Sequence, residues 1–195
     1  TAQAAAVTVK FKAVEAASTL DIATGLTGAL TIDNITDATV NIGKASATGA
    51  AITATSDIST LNLNTTGNFS ATTIDGNSVK TINVDADAGF DVTNLSSTGL
   101  VTLNASAGKA LAVNTVSDSV KLADVTLTSG TSVDVGGDIG KTGGVATTNF
   151  TITAGTNITA NTKDLISDYI GDVSLTATAG TLAIEDIGAT AVTID

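Results

Sequence analysis

Residues able to do chemistry are few in this sequence, and the densest group of them is Asp85-Ala86-Asp87-Ala88-Gly89-Phe90-Asp91. Alternating oxygen ligands, with a glycine for a sharp turn, are how loops often hold hard cations such as Ca2+. The group departs from the twelve-residue EF-hand loop, because its fifth position is Gly89 and no Glu closes it. The equivalent turns nearby, Asn64 to Asn68 and Ser106 to Lys109, carry no such group. Two expectations follow for Asp85, Asp87 and Asp91: a Ca2+ site, or a polar turn with solvated carboxylates. The second is the plainer one.

Other chemistry is mostly excluded by what is missing. The 195 residues include no His, Cys, Met, Trp or Pro. Without His or Cys the usual zinc, copper and iron ligand sets cannot be assembled, and catalytic triads in their His form are ruled out. There is no disulfide framework and no thiol. Ser-Lys pairs remain open in principle, but the Ser residues fall in turns and beside the repeats. Gly136-Gly137-Asp138-Ile139-Gly140 is followed by more glycine rather than by a helix, so it is a poor phosphate-binding fingerprint. Nothing singles out a carboxylate pair for glycoside hydrolysis. The expectation is a protein that is not an enzyme.

Net charge is −11, from 19 acidic residues against 8 basic ones, all of the latter Lys. An acidic surface argues against nucleic acid or an anionic membrane as partner, and it could draw divalent cations. No apolar run approaches the ~20 residues that span a bilayer, so membrane insertion is not expected. The chain starts at Thr1 without a Met and without a charged, apolar signal pattern, which reads as a piece of something longer.

The elements that must position these residues come from a repeat. Thr39-Val40-Asn41-Ile42 returns as Thr60-Leu61-Asn62-Leu63, Thr81-Ile82-Asn83-Val84 and Thr102-Leu103-Asn104-Ala105, with starts 21 apart. Phe69, Phe90 and Leu111 keep the same interval, as do Ile74, Leu95 and Val116, and Ile58, Val79 and Leu100. A fixed period of this length marks a stacked repeat. Each unit holds two short segments that alternate apolar and polar, joined by Gly, Asn, Asp and Thr. One unit therefore predicts one rung of an all-β parallel β-solenoid, with two main strands and two turns. Stacking would set Leu61 over Val40 and under Ile82, and the chain is long enough for roughly nine rungs. An antiparallel β-sandwich also accommodates short strands at this spacing, but it gives no reason for every second strand to share a sequence.

Residues 1–18 lie outside the clean repeat and read as an N-terminal cap or a truncated strand. Val7 to Phe11 alternates like a strand, and Ala13 to Ala17 could turn as helix. Residues 19–127 carry the repeat, with Thr19-Leu20-Asp21-Ile22 an imperfect copy 20 residues before Thr39. The Gly-rich stretch 128–149 reads as a loop or insertion. Residues 150–195 read as further rungs or a small subdomain. They hold the one segment with helix signals, 163–170, with Asn161 or Thr162 as N-cap and Gly171 past its end.

Outward-facing Thr39, Thr60, Thr81 and Thr102 alternate with Asn41, Asn62, Asn83 and Asn104. Stacked rungs would place like residues about 4.8 Å apart, as a polar ladder. Asn amides bonding along the stack would stiffen it. A flat Thr array could instead order water, as ice-binding proteins do.

At Thr60-Leu61-Asn62-Leu63, Gly67-Asn68-Phe69, Thr81-Ile82-Asn83-Val84 and Gly89-Phe90 the chain resembles the β-solenoid regions of bacterial surface-layer proteins. It is similar in particular to those exported by type I secretion from Gram-negative bacteria, and to related large adhesins. The calcium-binding Gly-Gly-x-Gly-x-Asp nonapeptides common in that class are missing. The resemblance implies a secreted, cell-surface structural protein that assembles with copies of itself into a lattice or fibre, promoted by Ca2+. The alternative is an adhesin that recognises polysaccharide, or ice, through its Thr/Asn ladder. A glycan-processing enzyme comes third.

Overall fold

In the computed structural model the described residues are 6–10, 17–23, 25–43, 50–55, 58–117, 119–139, 147–160, 165–184 and 187–195. Their regular elements are all strands joined by turns, and among the described residues there is no helix, so none long and apolar enough to cross a membrane. The first six strands are β1 (Val7–Lys10), β2 (Ser18–Ile22), β3 (Ala29–Asp33), β4 (Asp37–Ile42), β5 (Ala50–Ala54) and β6 (Thr60–Thr65). The next six are β7 (Phe69–Asp75), β8 (Thr81–Ala86), β9 (Phe90–Ser96), β10 (Thr102–Ala107), β11 (Leu111–Ser117) and β12 (Asp124–Ser129). The last are β13 (Val133–Val135), β14 (Thr147–Ala154), β15 (Ile158–Ala160), β16 (Leu165–Ala177), β17 (Leu182–Ile184) and β18 (Ile187–Ile194).

Odd-numbered strands form one nine-stranded sheet and even-numbered strands another, each in chain order. Neighbouring strands pair in parallel, as β6 does with β4 and β8. The chain is therefore a parallel β-solenoid, adding one strand to each sheet per turn. The cause is the two-residue alternation. In β6, Leu61, Leu63 and Thr65 are buried while Thr60, Asn62 and Asn64 face outward, and β8 and β10 repeat the pattern.

Aliphatic columns fill the space between the sheets. Leu61, Ile82, Leu103, Val125, Phe150 and Val173 stack in one sheet, and Phe69, Phe90, Leu111, Val133 and Ile158 stack in the other. All are buried. The Phe69 and Phe90 rings lie nearly parallel, with centroids 5.7 Å apart. The turn column Ile58, Val79 and Leu100 is wholly buried, just ahead of a backbone ladder in which Lys80 N–H donates to Ser59 and Val101 N–H to Lys80. Each such side chain removed from water stabilises by about 1.5–3 kcal/mol, but only with a rung above and below to cover it.

The structure corrects several expectations. The first repeat is not in the predicted register: Asp37 pairs with Thr60, Ala38 with Leu61, Thr39 with Asn62 and Val40 with Leu63. Leu61 thus lies over Ala38, not Val40. A slip of two residues keeps every side chain on its own face, so burial does not distinguish the two registers. The imperfect copy at Thr19 does pair with Thr39. The predicted helix 163–170 is replaced over its described part by β16, held between β14 and β18. Ile, Tyr and Val suit a strand with neighbours on both sides, and that tertiary pairing outweighs local helix signals. Lys163 and the proposed caps Asn161 and Thr162 lie outside the described residues, as does most of Ala13 to Ala17.

The described part of the Gly-rich stretch 128–149 also belongs to the stack, since it contains β13, and Ile139 bridges to Val116. Its described glycines answer close approaches. A β-carbon at Gly130 would fall on the Gly108 carbonyl oxygen, and one at Gly137 on the Asn114 carbonyl oxygen. Within 1–18, β1 is a strand paired with β3, and within 150–195 the strands β14 to β18 extend both sheets.

Candidate functional site

The outer face of the even-numbered sheet gathers the polar residues singled out from the sequence. Asn104 Nδ2 donates to Asn83 Oδ1 at 2.9 Å, and Asn83 Nδ2 donates to Asn62 Oδ1 at 2.8 Å. Asn62 Nδ2 then reaches Thr39 Oγ1 at 3.3 Å. The predicted amide ladder is present at Asn62, Asn83 and Asn104, ended by Thr39 on one side and by Thr126 in the next strand. Thr60, Thr81 and Thr102 form a column beside it, flanked by Asp37 and Asp124. Thr39 and Asn41 belong to other columns, because of the two-residue register shift.

Asn41 instead lies in a column that the sequence reading missed: Asp21, Asn41, Asn64, Asp85, Ser106 and Thr128. Here Asn41 Nδ2 donates to Asp21 Oδ1 at 2.7 Å and Asn64 Nδ2 to Asn41 Oδ1 at 2.8 Å. Asn64 looked like the start of a turn, whereas β6 runs to Thr65. The available signal was the alternation itself, which puts residue 64 on the face of Thr60 and Asn62. In both columns the amides donate from the later strand to the earlier one.

The three candidate Ca2+ ligands are not brought together. Asp85 faces outward on β8, Asp87 lies in the turn that follows, and Asp91 faces outward on β9 in the other sheet. The turn between them carries the chain from one sheet to the other, and so divides the carboxylates. Among the described residues no group of three acidic side chains could hold a metal ion. Burial first, and then the charge of Asp134, raises the Asp91 carboxyl above the ordinary carboxylate value. These two residues share a column with Ala112 between them. At the first strand of the odd-numbered sheet, Lys10 Nζ meets Asp33 Oδ2 at 2.8 Å. That hydrogen bond, with a second from Thr55, lowers the Asp33 carboxyl, and Lys10 is raised in return.

Two shallow hollows adjoin on the even-numbered face. One, of about 190 Å³, is lined by residues including Asn41, Asn64, Thr66, Asp85 and Asp87. The other, also about 190 Å³, includes Asn64, Asn83, Asp85, Asn104, Ser106 and Thr128. They share Asn64 and Asp85. What this arrangement can do chemically is offer hydrogen bonds along a line. No family model, no curated protein and no solved structure matches this chain.

Proposed function

We propose that this chain is a non-catalytic structural segment of an extracellular surface layer or fibre, a stiff β-solenoid that assembles with copies of itself. The observation supporting this reading is the run of two parallel nine-stranded sheets, bonded rung to rung by main chain and by side-chain ladders. Its mechanism is geometric. Stacked aliphatic columns resist bending, and lateral faces or ends meet neighbouring copies. At a net charge of −11 the copies repel one another, so divalent cations promote assembly by screening.

Negative-stain microscopy with light scattering, in Ca2+ and in chelator, tests this. Ordered sheets or filaments are expected, more readily with Ca2+. A compact monomer under both conditions would overturn self-assembly. The ice-binding alternative rests on three matched rungs only, Thr60, Thr81 and Thr102 with their Asn partners, before Asp124 and Thr126 replace them.

A further inference from the structure

The side-chain zipper through Asn41 and Asn64 stops at Asp85. An ionised carboxylate has no hydrogen to offer the Asn64 carbonyl oxygen. Asn64 Oδ1 and the Asp85 carboxylate are therefore acceptors on directly paired residues, in neighbouring strands about 4.8 Å apart. Among the described residues neither receives a side-chain hydrogen bond. These same two residues are common to both hollows. Along the hollows, Asn41, Asn64, Asp85 and Ser106 come from four successive strands of one sheet, so the groove runs with the stacking direction. Asn83 and Asn104 border it, and each spends one amide N–H on the ladder and keeps a second.

We propose that this groove binds a neutral, hydroxyl-rich polymer, a polysaccharide chain laid along the solenoid axis. A hydroxyl group both donates and accepts, and the groove supplies both complements. Donors of the ligand meet Asn64 Oδ1 and Asp85, and acceptors meet the spare amide N–H groups and the Ser106 and Thr128 hydroxyls. The lining carries two carboxylates and no cation, so a polyanion is repelled. With no aromatic platform in the lining, single contacts are weak, and affinity comes from several sugar units engaging together. The proposal is independent of the self-assembly reading.

Affinity electrophoresis through gels containing soluble neutral glucan, mannan or galactan, with alginate as the polyanion, tests it. At least one neutral polymer is expected to retard the protein, and alginate is not. Asp85→Asn supplies a donor to Asn64 Oδ1 and continues the zipper. That variant is expected to melt higher than the parent yet bind about tenfold more weakly, the scale of one charge-assisted hydrogen bond. Thr93→Ala, exposed on the opposite sheet, is expected to leave retardation unchanged. Retardation by no neutral polymer, by alginate equally, or undiminished in Asp85→Asn would overturn the groove. Filament formation scored on the same Asp85→Asn protein keeps that failure separate from failure of self-assembly.

Discussion

Asn83 is held from both sides, donating to Asn62 and accepting from Asn104. Asn83→Ala removes both bonds, but the position is half-exposed and water can replace part of the loss. A net destabilisation of about 1 kcal/mol is expected in urea denaturation, near the value of one ordinary hydrogen bond. Asp91 gives a pH-dependent case. Its raised carboxyl means that the folded chain holds this proton more tightly than the unfolded chain does. Stability from this group therefore falls as pH rises from the ordinary carboxylate value through the raised one, and stays lower above it. Asp91→Asn should flatten that part of the melting-temperature profile without lowering stability at pH 7. Asp33 has the opposite sign: its lowered carboxyl contributes stability that is lost on acidification below the ordinary value.

At the scale of strands and turns, alternation such as that of Leu61, Asn62 and Leu63 makes the strands of the repeat legible, and the 21-residue interval makes the stacking legible from Thr60 to Val116. Register at Thr39 was not legible, because a two-residue slip changes no residue's face. Strand β16 was hidden for a different reason. Leu165, Ile166, Tyr169 and Ile170 recur at helical spacing, and only pairing with β14 and β18 makes them a strand. Gly130, Gly136 and Gly137 were not legible as part of the stack, because glycine marks both flexible loops and crowded corners. At Gly130 the crowding is definite. Gly130→Ala, at an exposed turn position, would drive its methyl group into the Gly108 carbonyl. A clear drop in melting temperature is expected, beyond the few tenths of a kcal/mol typical of surface changes. The polar groove is only half legible in the sequence, since Asp85 stands out by its neighbours in sequence and not by its neighbours in the stack.

For the whole molecule, each strand pairs only with the strand before and the strand after in its own sheet. Stability then approximates a sum over rungs and the interfaces between them. Excision of residues 81–101 removes one 21-residue unit and brings Thr102 onto Thr60 in the register Thr81 had. The shortened chain is expected to fold, with a denaturant m-value reduced roughly in proportion to the surface removed. Excising 20 residues instead leaves one extra residue for a turn to absorb, as turns already do where Thr19 pairs with Thr39 at a 20-residue interval, and that chain is expected to fold with a lower melting temperature than the 21-residue deletion.

The amides on the even-numbered face all donate in one sense, from later strand to earlier. Their dipoles therefore add along the axis, as peptide dipoles do in a helix. The positive ends point toward Asp21, whose carboxylate closes one column, and an equivalent pairing occurs where Asn149 donates to Asp124 at 2.7 Å. The rod consequently has an electrical head and tail as well as a chain direction, and copies laid side by side on this face are electrostatically favoured to run antiparallel.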